Sequence, residues 1–356
     1  MRRFIRVGVP SMLVLTLLVT GCSSNSEEAA KEMDAPPINY VDENETIEFD
    51  LEEEVDASVD TEQEMISETV QRELYLIDSN GMVVPQTVDL PKTEGVIKQS
   101  LEYLVEGGPV SNMLPNGFKA VLPAGTLIDV NLTEDGLAIA DFSEEFQNYN
   151  PEQELQILQA ITWTLTQFES VESVKIRING YDQETMPVNN TPIGEKLTRA
   201  NGINLETDSI VDMSNSKGVT LYFLSQNGDN TYYVPVTRRV ERSEDAIQTV
   251  VDQLLTGPSM HSNLLTDFSQ GVQLLDSPQY ENGVVTLNFN EALLNNLQGT
   301  AISNDVLNLL VLSLTEQEGV EQVAVQVNGD SKILQTSGEF LAEPVSRPTL
   351  VNTGKF

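Results

Sequence analysis

The chain has 356 residues, of which 55 are acidic and 19 basic, for a formal net charge of −36. Charge of that sign repels phosphate backbones and argues against nucleic acid as a partner. With one cysteine (Cys22) and one histidine (His261), disulfides, structural zinc and most nucleophilic catalysis lack their residues, while 40% hydrophobic content suffices for the cores of two or three domains.

Read from the start, Met1, Arg2, Arg3 and Arg6 form a basic head, Val7 to Thr20 an apolar run, and Gly21 and Cys22 close it. That is the three-part layout of a secretory signal peptide, and the apolar run is shorter than the roughly 20 residues a membrane span requires. Leu18-Val19-Thr20-Gly21-Cys22 resembles a bacterial lipobox. The resemblance implies that residues 1–21 are a lipoprotein signal peptide and that Cys22 is the lipidation site, carrying diacylglycerol on its sulfur. Two acyl chains hold a protein stably on a membrane where one does so only marginally. The expected location is the extracytoplasmic face of the cell membrane, anchored through Cys22.

Residues 22–73 read as a disordered acidic tether. Between 27 and 73 stand 18 acidic side chains against Lys31 and Arg72, with Pro36-Pro37 and few aromatics, too little apolar surface to offset chain entropy. As a flexible coil it reaches roughly 40 Å, and further under charge repulsion. A short helix near Met65–Glu73 is expected at its end.

Beyond the tether the sequence is duplicated. Leu74-Tyr75-Leu76 returns as Leu221-Tyr222-Phe223, and Gly108-Pro109 as Gly257-Pro258. Asp141-Phe142-Ser143-Glu144 matches Asn288-Phe289-Asn290-Glu291, and Val174, Ile176, Ile178 with Asn179-Gly180 match Val323, Val325, Val327 with Asn328-Gly329. Arg199 with Ile203-Asn204 is echoed by Arg347 with Val351-Asn352. The offset stays between 147 and 149 residues, a period that means tandem domains and not a solenoid. Two domains are expected, 74–205 and 219–353, joined by a polar linker, 206–218.

Each repeat reads as α+β, in the order strand, helix, hairpin, helix, strand, with the helices on one face of a small sheet. The opening strands are Leu74–Ile77 and Thr220–Leu224, each followed by a turn and a second short extended piece. Ile97, Leu101, Leu104 and Val105 form an apolar stripe that predicts a first helix over 93–106. Ile247, Val250, Val251, Leu254 and Leu255 do the same in the second copy, after Ser243-Glu244-Asp245. Gly107-Gly108-Pro109 and Gly257-Pro258 are the helix stops. Ile128, Val130 and Leu132 alternate into an Asp135-Gly136 turn, and Ala138, Ala140 and Phe142 return; Asn282-Gly283 turns into Val285, Leu287 and Phe289. Asn150-Pro151 opens a second helix expected to bury Leu155, Leu158, Ile161, Leu165 and Phe168. In the last strand Val174, Ile176 and Ile178 point inward and Lys175 and Arg177 outward.

The Gly-Pro helix end, Val121-Leu122-Pro123-Ala124-Gly125-Thr126, the Asp135-Gly136 hairpin and the strand end Asp141-Phe142-Ser143 resemble the GerMN domain. Two such domains behind a lipobox resemble the GerM family of sporulation and spore-germination lipoproteins. The second copy departs from the pattern: it lacks the Leu-Pro-x-Gly segment and reads Asn288-Phe289-Asn290. The resemblance implies a fold like the ring-building modules of secretion systems. It also implies a non-catalytic scaffold, without cofactor, that helps assemble the envelope protein complex between mother cell and forespore. Its partners would be other sporulation envelope proteins, in the intermembrane space, with peptidoglycan close by.

No phosphate loop, Cys pair, His-Glu-x-x-His or Gly-x-Ser-x-Gly occurs in the sequence. His261 follows a helix stop in a Ser/Asn-rich loop and has no second histidine or free thiol to complete a triad or zinc site. Asn131, Thr133, Asp135 and Gly136 match the early positions of a calcium loop, but Phe142 stands where its bidentate Glu belongs. Glu144, Glu145 and Glu154 cluster after the first hairpin and raise the alternative of a carboxylate-dependent, peptidoglycan-modifying enzyme. A solvated helix-start face, complementing the helix dipole, accounts for them better. An ion- or small-ligand-binding lipoprotein is the remaining alternative. Lys175 and Arg177 are outward cations in an acidic protein, read either as local charge balance or as a partner contact.

Overall fold

The structure is a computed structural model that describes residues 68–206, 214–294 and 299–354. Cys22, the signal peptide and the tether up to residue 67 lie outside the described residues, as does 207–213 of the expected linker.

The first repeat opens with a hairpin in which β1 (Thr69–Ile77) pairs antiparallel with β2 (Val83–Pro91). Its turn is closed by Asp78, whose Oδ1 accepts from the Asn80 and Met82 amides at 2.9 and 2.8 Å, the local carboxylate bond that favours Asp at turns. Helix α1 (Val96–Glu102) follows, then β3 (Ile128–Leu132) and β4 (Leu137–Phe142). Helix α2 (Glu154–Leu165) crosses over to β5 (Ser173–Ile178), which lies parallel to β4, and β6 (Tyr181–Asp182) closes a four-stranded sheet in the order β3-β4-β5-β6.

The second repeat has the same plan. It runs through β7 (Ser216–Asn227), β8 (Asn230–Glu241), α3 (Ala246–Thr256), β9 (Gln279–Glu281) and β10 (Val284–Phe289). Then come β11 (Ala301–Ile302), α4 (Asn304–Leu314), β12 (Gln322–Val327), β13 (Ile333–Gln335), β14 (Phe340–Leu341) and β15 (Val345–Ser346). Its main sheet is β15-β12-β10-β9, with β10 and β12 parallel, and β11, β13 and β14 form a small separate sheet.

The duplicated α+β plan is the expected one, with a further layer. The opening strand is one arm of a long hairpin that covers the helices on the side away from the sheet, so α2 packs against β1 and β2 as well as β5. A helix covered on both sides needs apolar residues all round. Accordingly Ile157, Leu158, Ala160, Ile161, Trp163 and Leu165 are all buried. Leu155, expected in the core, sits in the first turn and is 43% exposed.

Four further expectations are corrected. Residues 69–73, placed at the end of the tether with a short helix, are strand; β1 needs them to match β2, Thr69 pairing with Pro91. The second hairpin starts at Ser216, inside the expected linker. Helix α1 stops at Glu102 and not at Gly107. The Leu104 carbonyl, which a longer helix would use, instead accepts from the Val121 and Leu122 amides at 2.9 Å each. The second copy lacks that segment, and α3 runs on to a Gly257 cap at φ +84°. Finally, the cores that the composition allows for two domains are merged: buried apolar residues from Leu74 to Leu341 form one continuous cluster.

Candidate functional site

The residues that mark the duplication are structural supports. Asp141 Oδ1 accepts from the Gly180 amide at 3.0 Å, and Asn288 Oδ1 accepts from Gly329 at 2.9 Å. Each side chain braces the Asn-Gly turn after the neighbouring parallel strand, where Asn179 and Asn328 take φ of +49° and +50°. Ser143 Oγ accepts from the Leu127 amide at 3.0 Å, and Asn290 Oδ1 from Gln273 at 3.2 Å. The place requires an acceptor oxygen, so Asp-Phe-Ser and Asn-Phe-Asn serve alike. Phe142 and Phe289 between them are buried, 1% and 0% exposed.

The acidic triplet is pulled apart. Glu144 and Glu145 are exposed in a single 3₁₀ turn. Glu154 is 1% exposed, which corrects the expectation of a solvated helix face. Its Oε1 accepts from the Tyr149 hydroxyl at 2.9 Å and from the Val188 and Asn189 amides at 3.1 and 2.6 Å, and its Oε2 from Thr191 at 3.0 Å. Burial works to raise its pKa, but the bonds from Thr191, Asn189 and Tyr149 prevail and hold it down to about 2. The carboxylate therefore stays charged and pins the 188–191 loop to the start of α2. Lys175 and Arg177 both pair with Asp182, at 2.8 and 2.5 Å.

The densest polar constellation, which the sequence reading missed, is the seam between the repeats. Asn204 (φ +45°) and Asn352 (φ +56°) lie between β2 and β8. Asn204 accepts from the Val83 amide at 2.8 Å and donates to the Val83 and Pro235 carbonyls at 2.7 Å each. Asn352 accepts from the Tyr233 amide at 2.8 Å and donates to the Tyr233 and Pro85 carbonyls at 2.9 and 2.8 Å. Interchanging the repeats interchanges the two sets of bonds. The chain segments that carry these asparagines also cross over. The Ile203 carbonyl accepts from Thr237 at 2.7 Å, and the Asn352 carbonyl from Thr87 at 3.3 Å, so each tail pairs with the other repeat's hairpin. The signal for this was present in the sequence as the echo of Arg199, Ile203 and Asn204 in Arg347, Val351 and Asn352.

The two echoed arginines meet on one carboxylate. Glu316 accepts from Arg199 at 3.2 Å, from Arg347 at 2.9 Å and from the Tyr222 hydroxyl at 3.1 Å. Arg199 also stacks over Trp163, 4.4 Å from the ring centre. Beside them Glu73 accepts from the Val351 amide at 2.7 Å, and burial pushes its carboxyl up against the pull of Arg347.

His261 stands exposed at a cleft of about 470 Å³ between the first repeat's hairpin turn, the start of α2, the 204–206 tail and the 259–264 loop. Among the described residues no group of three His, Cys, Asp or Glu side chains could hold a metal ion. No described helix is long and apolar enough to cross a membrane.

Comparison with known proteins bears on the same residues. The family model described as "Germane: Sporulation and spore germination" matches twice, over residues 73–184 and 220–332. The spore germination protein GerM of Bacillus subtilis (strain 168) is 49% identical over 353 residues, covering 97% of this chain and 96% of the relative. The solved tandem GerMN domains of the sporulation protein GerM from Bacillus subtilis superpose with a TM-score of 0.77 at 53% identity, over 81% of this chain and all of that one. The chain belongs to the Germane family of sporulation and spore germination, with two GerMN domains in tandem.

Proposed function

We propose that this protein is a lipid-anchored, extracytoplasmic scaffold for sporulation and spore germination, which holds envelope proteins together between mother cell and forespore without catalysis. The observation that carries the reading is the fate of the acidic triplet. A glycosidase needs one carboxyl with a raised pKa across a sugar cleft from an ionised partner. Glu154 is buried, consumed by backbone donors and held near 2, the opposite of a general acid. The carboxyl that is raised, Glu73, faces the seam and bonds Val351. What the fold offers instead is two copies of one module joined through a shared core, suited to presenting fixed surfaces to partners.

The test is complementation of a deletion strain, scoring spore formation and germination with protein level recorded. Glu144→Gln with Glu145→Gln is expected to work as wild type. Cys22→Ala is expected to fail while its folded domains leave the detergent phase for the aqueous one. Normal accumulation with complete loss of function in the double glutamine variant would overturn the scaffold reading in favour of a carboxylate-dependent enzyme.

A further inference from the structure

The cleft beside His261 has a counterpart in the second repeat, and the two differ in one polar detail. The counterpart, about 460 Å³, is bounded by Tyr233, Asn308 and the 348–354 tail. There Asn308 Nδ2 donates to the Tyr233 hydroxyl at 2.8 Å, and that hydroxyl donates to Asp305 Oδ1 at 2.7 Å. Helix α4 thus presents a donor and an acceptor one turn apart, and the protein's own phenol satisfies both.

In the first repeat Gln159 stands in the place of Asn308, Gln156 in that of Asp305 and Val83 in that of Tyr233. Two pairs of hydrogen bonds fix this equivalence. Thr164 and Ser313 accept alike from the Tyr75 and Tyr222 amides, and Asn204 and Asn352 accept alike from those of Val83 and Tyr233. Gln159 and Gln156 both line the cleft. Gln159 is 5% exposed, and its Oε1 is held by the Asn204 amide at 3.2 Å, while its Nε2 has no partner among the described residues. Gln156 donates its amide nitrogen to the Gln153 and Glu152 carbonyls at 3.3 and 3.0 Å, which leaves its carbonyl oxygen as an acceptor. Valine has no hydroxyl to offer either of them. The same cleft carries two partly exposed aliphatic side chains, Leu155 and Leu205, 43% and 42% exposed.

We propose that this cleft is a socket for a tyrosine side chain of a partner protein. The ring lies against Leu155 and Leu205, and the hydroxyl accepts from Gln159 and donates to Gln156, as Tyr233 does between Asn308 and Asp305. A carboxylate ligand fits poorly, because it has no proton for Gln156 and meets Glu152 at the lining. The proposal deepens the scaffold reading by giving it a contact point, and its binding test fails or succeeds independently of the complementation test.

The experiment titrates the isotope-labelled, detergent-solubilised full chain with N-acetyl-tyrosinamide and with N-acetyl-phenylalaninamide, following amide resonances by NMR. Saturable shifts at the Gln159 side chain and at Leu155 and Leu205 are expected for the tyrosine probe, with at least about tenfold weaker binding of the phenylalanine probe, since a site built for a hydroxyl rejects the analogue lacking it. Val83→Tyr is expected to reach into the socket from within and abolish binding, at some cost in thermal midpoint because Val83 is fully buried; Leu155→Ser, at the exposed rim, weakens binding in a fold it does not support. Equal binding of the two probes, absence of shifts with either, or undiminished binding in Val83→Tyr would overturn the proposal.

Discussion

Glu154 shows how a single residue's role depends on what the chain brings to it. In sequence it is one of three acids near a helix start; in the fold it receives a tyrosine hydroxyl and three backbone amides from a loop more than 30 residues away. Glu154→Gln turns one acceptor oxygen into a donor facing N–H groups, so a loss of about 1–3 kcal/mol is expected. The dependence on pH follows from the direction of the shift. The folded pKa, about 2, lies below the ordinary 4.5, so the carboxylate's contribution is fully present above 4.5 and is lost as pH falls towards 2. Thermal midpoints of wild type and Glu154→Gln should differ most at neutral pH and converge in that acid window. A constant difference across it would contradict the assignment. Any triple neutralisation that includes Glu154 tests stability and not only function.

At the scale of elements, the two copies show the same strand ends carrying different surroundings. Phe142 and Phe289 close equivalent strands, but Phe142 also stacks on Phe146 with ring centres 4.4 Å apart and planes 18° from parallel. Each Phe→Ala change is expected to cost about 3–5 kcal/mol as a buried aromatic, with Phe142→Ala the worse by about 0.5–1.5 kcal/mol for the lost ring pair. Chemical denaturation of both variants provides the comparison, and Phe289→Ala proving the more damaging would contradict it. Helix length behaves similarly. The apolar stripes of α1 and α3 are alike, yet α1 has 7 residues and α3 has 11, because the Val121-Leu122 segment captures a carbonyl that continued helix would use.

For the whole molecule the decisive feature is the exchanged tails. Each seam asparagine holds three backbone groups drawn from both hairpins, and each occupies a positive φ that alanine tolerates poorly. Asn204→Ala and Asn352→Ala are each expected to lose at least about 2 kcal/mol, since buried backbone groups are left unpaired. With one continuous core, the wild-type domains should unfold in a single calorimetric transition. The double variant should separate it into two, and retention of one sharp transition would mean that apolar packing alone couples the repeats.

The duplication, the α+β order of each repeat, the turn residues and the alternation of the sheet strands were legible in the sequence, because each is set by local spacing: period two for strands, Asn-Gly and Asp-Gly for turns, an acceptor and a proline for helix starts. The resemblance of Leu18–Cys22 to a lipobox is equally local, and these residues lie outside the described ones. What only the tertiary structure decided are the facts that depend on partners distant in the chain. The Tyr233 hydroxyl meets Asn308 and Asp305 on a helix more than 70 residues away, Glu316 gathers arginines from both repeats, and β1 extends to Thr69 because β2 is there to pair with it. A sequence lists donors, acceptors and apolar faces; which of them meet is settled by how the two hairpins lie against each other, and at that distance along the chain no local pattern reports it.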